Sequence, residues 1–300
     1  WEQVSFCAEL VVSIAISDKE KLTQLVVEYL ERVPSPAFYK ILNYLSSEDI
    51  LNRPEDEYVV FWDTLTNLIA KHRGFSNAHW AWSPEMVSQI EVVAEKLAPR
   101  NKLNLYRKLF SNKNLYSYDD NGDYEEQRNA VKSQRDLAIN DILTNIGMNA
   151  VINFAQSFVE LPSEVGIALA TAGGENIDEN IMLPALLDTK NKSLAQFIHG
   201  YAASKYKTDG LIWLNGLDRS NWTISQVALF LSYLPFKEEI WNFVGQWLEK
   251  EENYWHIVNI QVCDSNNLEF AIDKLIEYGR PRAAIGCLRV NPLDTPRSIK

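Results

Sequence analysis

Cysteine is scarce in this chain. Cys7, Cys263 and Cys287 are the three in 300 residues, they lie far apart, and no C-x-x-C pair occurs. An odd number without ligand-like spacing signals neither a disulfide framework nor a zinc knuckle, so they are read as small buried thiols in a reducing, cytoplasmic setting. Long apolar runs are missing too. A membrane span needs ~18–20 such residues, and the most apolar stretch, Phe6–Ile16, is short and carries Glu9. Positive charge is in short supply, with 29 Lys and Arg against 40 Asp and Glu, a net charge of −11. That surface repels phosphate backbones and anionic lipid, so no nucleic acid and no membrane is expected as a partner. The one basic stretch, Arg100, Lys102, Arg107, Lys108 and Lys113, is read as a solvated helix face.

Catalytic signatures are equally sparse. His72, His79, His199 and His256 form no H-E-x-x-H or similar pair, which leaves a zinc hydrolase unsupported. His199 is read as a hydrogen-bonded helix residue. The paired glycines of Ala170–Asn176 are not followed by G-K-[ST], and no G-x-S-x-G elbow occurs. Asp119–Glu126 invites a calcium reading, but aligning Gly122 to the loop's glycine puts Arg128 where a bidentate carboxylate belongs. An acidic helix entry is the reading kept there. No catalytic residue, metal or cofactor is therefore assigned, and the expectation is a protein that is not an enzyme.

Helical periodicity dominates the chain. Leu22, Leu25, Val26, Tyr29 and Leu30 fall at i, i+3, i+4, i+7 and i+8. The same template fits Leu194, Phe197, Ile198, Tyr201 and Ala202, and again Ile240, Phe243, Val244, Trp247 and Leu248. Each set makes one apolar stripe on a helix. Capping boxes are expected at Ser17/Glu20, Asn176/Glu179, Ser193/Gln196 and Thr223/Gln226, with cap-plus-proline starts at Ser35-Pro36 and Ser83-Pro84. In the first part of the chain the pattern predicts helices near 3–16, 18–32, 36–46, 56–73, 84–98, 103–111 and 123–146.

Ser163, Ser193, Thr223 and Asn253 are spaced thirty residues apart, and each is followed about seventeen residues later by a second apolar segment. The unit is helix, turn, helix, turn. In Glu277–Leu288, "EYGRPRAAIGCL", Gly279 can end one helix in the left-handed conformation while Pro281 opens the next. That elbow, with Ala284-Ile285 and then Pro296, resembles the tetratricopeptide-like repeat, and the thirty-residue beat over 163–292 resembles short HEAT-like repeats. The resemblance is to helical-repeat proteins as a class. It implies an all-α, right-handed solenoid of short hairpins, with a less regular N-terminal part (1–115) and regular repeats after it (116–300). It also implies a protein or peptide partner.

The chain starts at Trp1 and stops in a Pro-containing segment. A piece of a longer polypeptide is expected from this, with other parent domains among its partners; a cleaved upstream signal is the competing expectation. The second helices would place Asn215, Arg219, Asn242 and Gln246 on a polar inner face, and the loop pair Trp80 and Trp82 would either tuck inward or meet a partner. Two alternatives stand beside an interaction or scaffold module. One is an α/α-barrel glycoside-processing enzyme, with Asp63 and Asp119-Asp120 as its carboxylate candidates. The other is the recognition region of a large nucleotide-switch protein.

Overall fold

Helices account for the regular structure of the computed structural model, which describes residues 10–111, 124–173, 177–260 and 267–290; among these residues there is no strand. The chain divides into two compact units, 1–134 and 135–300. Among the described residues no helix is long and apolar enough to cross a membrane.

The first unit begins with a helix over 10–16 (α1), then α2 (Lys19–Gln24), which Asp18 caps by accepting from the Glu20 and Lys21 N–H groups. The expected cap, Ser17, instead donates to the Ile14 carbonyl. The single helix expected over 18–32 is also corrected. After α2 the backbone widens into one turn of π-helix, Leu25–Tyr29, and then tightens into a 3-10 turn, Leu30–Arg32. In a widened turn the i+4 positions stay on one face. Leu22, Val26 and Leu30 are accordingly buried, while Leu25 is half-buried and Tyr29 exposed. The stripe of five apolar residues is thus split between core and surface.

Next come α3 (Ser35–Leu45), α4 (Glu48–Leu51), α5 (Glu55–Gly74) and α6 (Pro84–Lys96). Ser83 caps α6 and Pro84 takes its first position, whereas α3 starts at Ser35 itself. The core runs through Phe38, Ile41, Leu45, Phe61, Leu65, Ile90 and Leu97. Helix α7 (Lys102–Tyr106) continues as a 3-10 turn to Phe110. The Glu55 carboxylate receives the Arg100 and Asn101 N–H groups just before α7, at 2.8 and 3.1 Å.

Helix α8 (Tyr124–Asn145) carries the division between the units. Helices α9 (Met148–Ser157), α10 (Pro162–Ala172), α11 (Glu179–Leu187) and α12 (Lys192–Gly216) follow. α12 consists of two helices that meet at a break at Gly210 (φ 58°), where the second apolar segment was expected to begin. Its apolar stripe, Leu194 to Ala202, is buried throughout. α10 and α12 cross at very close range. A Cβ on Gly166 would lie 2.0 Å from the Phe197 carbonyl oxygen, and one on Gly200 2.0 Å from that of Ser163. Each glycine presses on the other helix's backbone.

Helices α13 (Ile224–Ser232), α14 (Glu238–Trp247), α15 (Glu252–Trp255), α16 (Leu268–Glu277) and α17 (Pro281–Val290) complete the second unit. Thr223 and Gln226 form the expected reciprocal box. The Gln226 amide also donates to the Pro184 carbonyl at 2.9 Å, a group the end of α11 would leave open. The "GRP" elbow is as expected. Gly279 has φ 73°, its N–H donates to the Ile276 carbonyl, and the Arg280 N–H reaches back to Leu275. Arg280 then clamps the elbow to the preceding segment by donating to the Trp255 and Val258 carbonyls, both at 2.8 Å.

The four evenly spaced residues do not share one role. Thr223 is a cap, Ser163 and Ser193 lie in the first turns of their helices, and Asn253 lies within α15. Asn176, Asp119, Asp120, Cys7, Cys263 and Pro296 lie outside the described residues. The cap of α12 is Asn191, whose side chain accepts from the Ser193 and Leu194 N–H groups. Asn191→Ala should therefore cost about 1 kcal/mol, while Ser193→Ala should leave the thermal midpoint nearly unchanged. The reverse order in thermal unfolding would return the cap to Ser193.

Candidate functional site

The first unit bears an apolar groove of about 590 Å³ between α1, α2 and the turns that follow. Val11, Ile14, Leu25, Tyr29, Val33 and Pro34 supply most of its wall. Val11 and Ile14 are 57% and 54% exposed, so the groove opens to water along α1. Its two charged lining residues are Lys21 and Arg32, both basic. Lys21 is paired with Asp18 at 3.2 Å. Arg32 is exposed and has no acidic partner among the described residues. The groove was not foreseen. The signal lay in the stripe at Leu22–Leu30, which offers more apolar surface than one core-facing stripe needs.

Beside this groove the 3-10 turn is pinned from behind. Glu31 receives the Lys71 ammonium at 2.7 Å and lies 3.0 Å from Nε2 of the buried His72. The Trp82 backbone N–H donates to Nδ1 of His72 at 3.1 Å, so that nitrogen must be the bare one and Nε2 carries the proton to Glu31. Trp82 stacks on the imidazole at 3.9 Å between ring centres and meets Phe38 edge-on. Trp80 lies against the His72 edge and remains 42% exposed. Of the loop pair, Trp82 is tucked into the unit and Trp80 lies half in water.

Burial depresses the His72 pKa, and the nearby Glu31 only partly offsets this. Burial also works against Glu31 ionising, but Lys71 and then His72 outweigh it and hold the carboxyl below its ordinary range. Both shifts act in one direction on stability. The unfolded chain takes up these protons more readily than the folded one, so stability is kept above pH about 6.5 and is lost as pH falls through the folded values. The thermal midpoint should drop between about pH 7.5 and 5.5, and His72→Gln should flatten that slope. Equal slopes in the two proteins would remove His72 as the cause.

The basic stretch before residue 111 is the solvated face expected at Arg100, but not at Arg107 and Lys108. Arg107 pairs with Asp63, and Lys108 lies 3.3 Å from the same carboxylate and 4.4 Å from the Trp62 ring centre. Burial and then the Arg107 charge pull the Lys108 pKa down. Asp63 is thus engaged in an ion-pair cluster with both cations.

In the second unit, Asn215, Asn242 and Gln246 are exposed. Arg219 is half-buried and lies 3.6 Å above the Trp247 ring centre, which ties the segment after α12 to the end of α14. Trp241, one position off the α14 stripe, is buried in an aromatic cluster with Phe236, Trp255 and Phe270. Glu179 opens α11 and receives the Tyr201 hydroxyl and, at 2.7 Å, the Trp213 indole N–H. Gly210 makes this possible, because the break in α12 brings Trp213 back toward α11. Two hollows of about 560 and 480 Å³ share Glu179 in their walls. His199 is exposed, with its ring 5.5 Å from that of Tyr233. Among the described residues no group of His, Cys, Asp and Glu could hold a metal ion.

No family model matches this chain, and neither a curated protein nor a solved structure does.

Proposed function

We propose that the chain is a non-catalytic interaction module that binds a protein or peptide, and that helical hairpins stack as a solenoid in its second unit. The observation that carries this reading is the open apolar groove of the first unit. Exposed side chains such as Val11, Ile14 and Tyr29 are gathered there around one concavity. Contiguous apolar surface of this kind is costly in water and marks sites of association. The exposed amides Asn242 and Gln246 on α14 suit a second, polar contact through hydrogen bonds. A cytoplasmic scaffold or sensor is the setting this reading implies.

Capture from source-cell lysate tests the module. Wild type, Ile14→Asp and Asn215→Arg/Asn242→Arg would be compared, with helix content checked by circular dichroism. A specific partner lost in one variant at unchanged helix content assigns the face that holds it. No specific partner with wild type, or the same partners with both variants, would remove the reading.

A further inference from the structure

Resting on the module reading, we propose that the groove of the first unit receives an amphipathic helix whose apolar anchors are flanked by acidic residues. Three observations define that occupant. The wall is apolar and built from two helical segments, α1 and the run from α2 to Pro34. A helix laid along such a trough inserts side chains at i, i+3, i+4 and i+7. Its volume of about 590 Å³ suits a few such anchors and falls within the range of binding clefts.

Charge then selects the partner. The chain carries a net charge of −11, yet the two charged residues lining this groove, Lys21 and Arg32, are both basic. Lys21 already has Asp18 as a partner, whereas Arg32 has none among the described residues. A guanidinium at the rim of an apolar trough favours a carboxylate and repels a basic flank. The neighbouring Glu31 is held away from the groove's account by Lys71 and His72, so it does not compete for Arg32. The π-helical turn carries both Leu25, which also packs against the core, and the exposed Tyr29 in the groove wall.

The test uses three labelled peptides of about sixteen residues, long enough to hold a helix. All carry leucine at i, i+3, i+4 and i+7; their flanks are Glu, Ser or Lys. Fluorescence anisotropy with wild type should rank them Glu, then Ser, then Lys. Ile14→Asp should weaken the Glu-flanked peptide by roughly tenfold or more, as loss of a central anchor does. Arg32→Glu should reverse the flank preference at unchanged helix content. Absence of Glu-flanked binding, no flank preference, or full binding by Ile14→Asp would each overturn the proposal. A wild-type dimer that Ile14→Asp dissociates would make a second copy the occupant and overturn it likewise. If lysate capture succeeds while these peptides fail, the module stands and only the groove's partner is wrong.

Discussion

Gly200→Ala should destabilise the second unit by about 3 kcal/mol or more, at or beyond the upper end for overpacked positions. The added methyl would sit 2.0 Å from the Ser163 carbonyl oxygen and within 3 Å of that residue's carbonyl carbon and Cα. These are backbone atoms of α10, so no side chain can swing aside. The two helices must separate, and the buried stripe of Phe197, Ile198 and Tyr201 separates with them. Gly166→Ala presses on the Phe197 carbonyl from the other side and should behave alike. Gly216→Ala is the control, because nothing lies within 4 Å of its added carbon. Chemical denaturation of the three variants checks the crossing. A Gly200→Ala midpoint equal to that of Gly216→Ala would show that α10 and α12 do not touch there.

Trp255→Ala should cost about 3–5 kcal/mol, as large buried aromatics do. Trp255 is 1% exposed and lies among Phe236, Trp241, Tyr254 and Phe270, with ring centres 5.2–6.2 Å away. Its indole N–H donates to Glu251 at 3.2 Å, and its carbonyl accepts from Arg280. The substitution therefore opens a cavity beside the clamp that holds the α16–α17 elbow. Helix α15 has four residues and little stability of its own, so it cannot close over the gap. Near-ultraviolet circular dichroism and thermal unfolding would read the loss. A change under about 1 kcal/mol would place Trp255 outside the core.

Features made by neighbours in sequence were legible. The Thr223–Gln226 box and the Gly279–Pro281 elbow are each defined within a few residues, and both are as the sequence reads. The helices near 36–46, 56–73 and 84–98 follow from periodicity for the same reason, whereas the one-turn α4 was not expected. Caps shift by one or two places where candidates crowd together, as Asp18 displaced Ser17 and Asn191 displaced Ser193. The Gly166–Gly200 crossing had no local signal, since each glycine is explained only by a helix over thirty residues away. The groove was half-written in the stripe at Leu22–Leu30. Nothing in that spacing announced a π-helical turn, which core and surface demands settle together. Trp241 lies one position off the α14 stripe, and its burial comes from Trp255 and Phe270 on other helices.

The π-helical turn at Leu25–Tyr29 acts as a single surplus residue in the reading frame of a helix. Wound as ordinary α-helix, the same five residues would turn everything after them by roughly a quarter-turn about the axis. Leu30 would leave the core, and Glu31 would lose its alignment with His72 and Lys71. The wider turn is therefore a spatial frameshift that one segment tolerates because it answers to two surfaces at once, a dry one behind and an open one in front.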